Sequence, residues 1–222
     1  MEKSYTVIGG ADGPTSIFLA GNFKGHKEKN IIKIIKRKIL NTKVNIKRKK
    51  AAKLIVPNPH TIEQTIQYIK QQYHAEEADC SYPYFNERKL NMKYLLIQRK
   101  KPELLGEEKK IVPPQDFNNI ELLNKWQKSI EEWSNKCLKK TESISDKAFP
   151  TDYHLFLINK EEDGTLEIEL DTLYPNISIS YSGNKKILEP ILKNIYMYYG
   201  VSKKDIHYKT ERYKTLLSIL SS

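Results

Sequence analysis

At 222 residues, with 39% hydrophobic and 29% charged side chains, the chain is long enough for one substantial domain or two small ones and too apolar to stay disordered. Its net charge of +11 points to anionic partners, and its two cysteines, Cys80 and Cys137, are too few and too far apart for a disulfide framework or a cysteine zinc site. No run approaches the roughly 20 apolar residues of a membrane-spanning helix. Met1 to Tyr5 lacks the basic start of a signal peptide, so free thiols in a reducing cytosol are the expectation.

The first legible stretch is YTVIGGADGPTSIFLAGN, Tyr5 to Asn22. Tyr5 to Ile8 is β-prone, Gly9, Gly10 and Gly13 permit unusual backbone angles, and Pro14 suits the first position of a helix. Strand, glycine loop and short helix follow, with Asp12 or the loop as cap, Ile17, Phe18 and Leu19 as apolar residues and Gly21 as stop. Residues 8 to 21 closely resemble the GGADGPT motif of the β subunit of sodium-ion-translocating carboxylic-acid decarboxylases. That resemblance implies a cation-handling acid at Asp12, helped by the loop around Gly9, Gly10 and Gly13 and by Thr15, with sodium as the implied ion. Ion translocation does not transfer to a chain without a spanning run. A group of short soluble proteins is similar in this opening and in an ending of the type YSGNKK, YYGVSKKDI and TERYK, and takes its decarboxylase name from the motif. Read from its residues alone, the same loop and helix start is an anion cradle.

From Lys24 to Lys53 there are thirteen Lys and Arg against Glu28 alone, which accounts for the whole net charge and leaves a nearly neutral remainder. Ile31, Ile32, Ile35 and Ile39 keep helical spacing, with Lys29, Lys33, Lys36 and Arg37 on the other side, predicting a basic amphipathic helix. Val44, Ala51 and Ile55 would fall on a different face, so a break is expected near Asn41 and Thr42, giving two basic helices or a helix and a connector. Lys33, Lys36, Arg37, Lys38, Lys47, Arg48, Lys49 and Lys50 are the expected contacts to the phosphates of RNA or DNA, or to an anionic membrane surface. The alternative is a solvated lysine face. Missing aromatics argue against single-strand stacking.

Pro57 and Pro59 end this segment. Thr61 and Gln64 have capping-box spacing before Ile62, Ile66, Ile69 and Tyr73, predicting a helix over 61–75. An aromatic loop is expected at Tyr82 to Phe85. Alternation of Leu90, Met92, Tyr94 and Leu96 predicts a strand ending at Arg99. Residues 101–115, with Pro102, Gly106, Pro113 and Pro114, are the expected linker between an N-terminal basic region, 1–100, and a C-terminal region, 116–222, unless the chain forms one integrated domain. Asp116 is the expected cap of a helix bearing Ile120, Leu123, Trp126, Ile130, Trp133 and Cys137, supported by Glu121–Lys125 and Glu132–Lys136 pairs.

His154–Asn159 and Thr165–Leu170 flank an Asp163-Gly164 turn, and Asn176–Tyr181 adds a third strand, predicting an antiparallel meander. Ser182-Gly183-Asn184 then opens a helix to Tyr199, bent or delayed by Pro190, with Ile187, Ile191, Ile195 and Tyr198 on one face and Gly200 as stop. Ser202 and Asp205 open a last helical region that closes the core through Leu216, Leu217 and Leu220. The class is α+β: a C-terminal meander with packed helices, preceded by the strand, glycine loop, helix and basic helices.

Among catalytic patterns, the five histidines His26, His60, His74, His154 and His207 are scattered, and no GxSxG, P-loop or HExxH occurs. Glu167, Glu169 and Asp171 share one strand face; a solvent-facing charged edge is favoured over a carboxylate site. No metal or cofactor beyond sodium by resemblance is expected, the pattern leans away from an enzyme, and the oligomeric state is open. Two readings result: a soluble polyanion-binding protein, and a soluble accessory or small-molecule or sodium-binding protein built on Asp12.

Overall fold

In the computed structural model, residues 30–106, 111–114 and 119–222 are described. Gly9, Gly10, Asp12, Gly13 and Thr15 lie outside them, as does Asp116. Seven α-helices and a four-stranded antiparallel sheet, order β1-β2-β3-β4, make up the described α+β fold. Two compact units divide it.

The first unit takes in residues 30–76, 156–169 and 177–222. Helix α1, Asn30–Leu54, is continuous, so the break expected near Asn41 and Thr42 does not occur. It contains neither glycine nor proline, and Asn and Thr cost a helix only tenths of a kcal/mol, about 0.7 at most. Ala51 and the following Ile55 are its buried anchors, and α1 packs on α7, Glu211–Ser221, whose Leu216 and Ile219 are buried. Leu217 and Leu220 are only half-buried, so Ile219 takes the place expected of them.

Helix α2, Ile62–Tyr73, opens with the capping box foreseen at Thr61 and Gln64, both bonds formed at 3.2 and 2.9 Å. Helix α5, Lys185–Tyr199, is capped by Asn184 and tolerates Pro190 inside it. Its buried residues are Leu188, Leu192, Ile195, Tyr196 and Tyr199, with Ile187 exposed. The packed stripe therefore lies about one residue round from the expected Ile187, Ile191, Ile195, Tyr198 line. Apolar residues neighbour one another around one broad side of the helix, opposite Lys186, Lys193 and Asn194, and its packing on α2 and α7 buries the Leu188, Leu192, Ile195 and Tyr199 line of that side. The short helix α6, Lys203–Tyr208, carries the Ser202–Asp205 capping box.

Arg212 closes the end of α5. Its Nε donates to the Gly200 carbonyl at 2.7 Å, its Nη2 to the His60 carbonyl at 2.8 Å and to the Tyr199 carbonyl, and its guanidinium lies over the Tyr199 ring. A cation at the negative end of α5 satisfies carbonyls the helix leaves open.

The second unit comprises residues 77–155 and 170–176. Here the expected strand through Leu90 and Leu96 is helix α3, Phe85–Lys100, with Met92, Lys93, Leu96 and Ile97 buried, a helical rather than alternating set. Lys93 holds a core position because its ammonium donates to the Ile144 carbonyl at 2.7 Å and to Asp146 at 2.8 Å. A 3-10 turn follows at Pro102–Leu105. Helix α4, Ile120–Ser143, is capped by Asn119, whose carboxamide oxygen accepts from Glu121 and Leu122 at 3.1 Å each; Asn119 thus takes the role expected of Asp116.

The sheet consists of β1, Glu76–Ala78, β2, Tyr153–Asn159, β3, Gly164–Asp171, and β4, Asn176–Gly183. The last three are the expected meander, and β1 adds a fourth strand at its edge. Within β3, Leu166, Ile168 and Leu170 are buried while Glu167 and Glu169 are half-buried.

Candidate polyanion interface

Helix α1 contains ten Lys and Arg and no acid. Lys33, Lys36, Arg37 and Lys38 fall on its N-terminal half, and Lys47, Arg48, Lys49 and Lys50 on its C-terminal half. From residue 42 to residue 50 every position is exposed. Spacings of four and three residues align Lys43, Lys47 and Lys50 along the helix, while Lys49 and Lys53, one turn apart, widen the cationic face. Among the described residues, Lys43, Lys47, Arg48, Lys49, Lys50 and Lys53 join no ion pair. Burial begins only at Ala51 and Ile55, at the C-terminal end of the helix, so the lysine-bearing turns before them stay in solvent.

The carboxylate triad does not form a charged edge. β3 is an interior strand of the sheet, and Asp171 is wholly buried. Its carboxylate accepts from the Asp152 amide at 3.0 Å and from the Tyr174 amide at 2.7 Å, closing the turn between β3 and β4. Burial raises its pKa, against the lowering effect of those backbone donors. Glu167 accepts from Ser180 at 3.2 Å.

Each described histidine has a local role. His60 stacks on Tyr198, which stacks in turn on Tyr68, with ring separations of 4.0 and 3.9 Å. Its Nδ1 donates to the Tyr198 carbonyl at 2.6 Å. His74 ends α2 in the left-handed region, and His207 packs edge-on against Tyr208. His154 faces two acids, with Nδ1 2.6 Å from Glu77 and Nε2 3.3 Å from Asp152. Burial acts to lower its pKa, but the hydrogen bonds and negative charges of Glu77 and Asp152 outweigh it and hold the imidazole above its ordinary value. Asp152 is lowered chiefly by the Thr172 hydroxyl. Sequence reasoning missed this trio. Asp152 is two residues from His154, which strand periodicity could have signalled, whereas Glu77 is distant in the chain and has no local sign.

Among the described residues, no three His, Cys, Asp or Glu side chains cluster in a way that could hold a metal ion, and no helix is long and apolar enough to cross a membrane. Cys80 is exposed and Cys137 buried, and neither is paired. No family model, curated protein or solved structure matches this chain.

Proposed function

We propose that this protein binds nucleic acid, RNA or DNA, through the cationic face of α1. The observation that carries the reading is the uninterrupted exposure of residues 42–50, which hold Lys43, Lys47, Arg48, Lys49 and Lys50 and no acid. Side chains of this kind act as point charges toward phosphates; each phosphate neutralised on a duplex releases a counterion and steepens the dependence of log K on log salt by about 0.9. Aromatic platforms are absent from α1, so affinity rests on charge. Lys33, Lys36, Arg37 and Lys38 extend the same helix and belong to the proposed footprint.

Fluorescence anisotropy with a labelled generic RNA and a duplex DNA, titrated at several salt concentrations, tests the proposal. Binding at low salt should weaken steeply as salt rises. Replacing Lys43, Lys47 and Lys50 together with Gln should flatten the duplex slope by up to about 3, one phosphate per lysine. Absence of binding at low salt, or an affinity indifferent to salt, overturns it.

A further inference from the structure

In the second unit, a cleft of about 340 Å³ opens between the end of the 3-10 turn and one side of α4, lined by Leu105, Gly106, Trp133, Lys136, Cys137 and Lys140. Pockets of roughly 300 Å³ and above are large enough for a small organic ligand. Trp133 and Cys137, four residues apart, form one line on α4, and Lys136 and Lys140, also four apart, form the line beside it. The Cys137 side chain is buried, Leu105 and Trp133 are half-buried, and both lysines are exposed. A largely apolar interior thus has a rim of two ammonium groups on one side.

Among the described residues, those ammonium groups have no carboxylate partner. The Glu132–Lys136 pair that the spacing predicts does not form, and neither Lys136 nor Lys140 joins an ion pair among the described residues. Lys136 instead lies 5.6 Å from the centroid of the Trp133 ring. Like charges one helical turn apart repel each other. An anionic group placed between them would relieve that repulsion, while the apolar floor takes up a hydrocarbon body but offers no second cation deep in the cleft.

We propose that this cleft binds a small apolar carboxylate, with its ring or chain against Leu105, Trp133 and Cys137 and its carboxylate between Lys136 and Lys140. The site is separate from α1 and does not depend on nucleic-acid binding.

The probe is 2-naphthoate, with 2-naphthamide as its uncharged counterpart, and the readout is the indole N–H signals of Trp126 and Trp133 in two-dimensional NMR. Titration with 2-naphthoate should shift the Trp133 signal saturably and leave Trp126 in place. The amide should bind about tenfold more weakly, the effect of two partly exposed charge contacts. The double variant Lys136→Gln/Lys140→Gln, at two exposed positions, should keep its melting temperature and lose the same factor for the acid but not for the amide. No saturable shift at Trp133, equal binding of acid and amide, or unchanged affinity in the double variant overturns the proposal.

Discussion

Replacing Gly200 with Ala tests how the end of α5 is held. Gly200 has φ +60° and ψ −163°, a combination that side chains resist, and a Cβ built there would lie 2.8 Å from the carbonyl carbon of Asn58 and nearer still to its oxygen. Backbone strain of this kind costs about 1–3 kcal/mol. Asn58 has little room to withdraw, because its amide donates to the Val201 carbonyl and the His60 amide to the Tyr199 carbonyl, each at 3.0 Å. Moving this segment weakens two hydrogen bonds worth about 0.5–1.5 kcal/mol apiece, and Ala recovers about 0.4–1 by restricting the unfolded chain. The net loss is about 1–5.5 kcal/mol, or about 2–20 °C of melting temperature for a chain of this length. Gly106→Ala is the matched control: Gly106 has φ +85° and ψ −162°, but a Cβ there meets nothing within 4 Å. Thermal and urea unfolding followed by circular dichroism should place Gly200→Ala well below Gly106→Ala. Equal losses in the two variants would refute the steric part of the reasoning, and an unchanged Gly200→Ala would refute all of it.

Lys93→Met should cost about 1–3 kcal/mol, because it leaves the Ile144 carbonyl without its donor; Asp146→Asn should cost less, since Asp146 is exposed and Lys93 keeps that carbonyl. Urea midpoints in the opposite order would contradict this account. For His154, the folded pKa is raised, so its contribution is fully present below the unfolded value of about 6.5 and fades as pH rises through the folded value. With Glu77 and Asp152 both partly exposed, the effect should stay within about 1 kcal/mol, measured as the difference in stability between wild type and His154→Gln at pH 6 and pH 8.5. A difference that does not shrink toward alkaline pH would count against the trio. Asp171→Ala strands the Asp152 and Tyr174 amides and should cost about 2–4 kcal/mol, with Asp171→Asn milder because it keeps an acceptor; chemical denaturation of the two variants decides the order.

Elements governed by local rules could be read directly. The capping boxes at Thr61 and Ser202, the Asp163-Gly164 turn and the Gly200 stop all depend on neighbours within a few residues, and the structure has each where the residues indicated. Misreadings arose where distant contacts decide. Leu90, Met92, Tyr94 and Leu96 alternate like a strand, yet the segment is a helix that buries Lys93 beside Met92, Leu96 and Ile97, and the groups that make a core lysine tolerable are 51 and 53 residues away. Asp171 likewise looks like surface charge until the Asp152 amide arrives from another segment. As for the candidate site, the charge of α1 was plain in its composition, whereas its single continuous helix and its anchorage on α7 were not. The lysine pair at the cleft was hidden by a spacing that predicted a Glu132–Lys136 bond instead.

The packing of α1 on α7 also sets an order of events in biosynthesis. Some 150 residues separate the end of α1 from the start of α7, so the helix with the densest positive charge leaves the ribosome long before its packing partner exists. During that interval Ala51 and Ile55 lack the cover that α7 provides, and the lysines are presented beside the nucleic acid that is making the chain. Docking of α7 is therefore a late, long-range step, and it determines when the first unit acquires its finished surface.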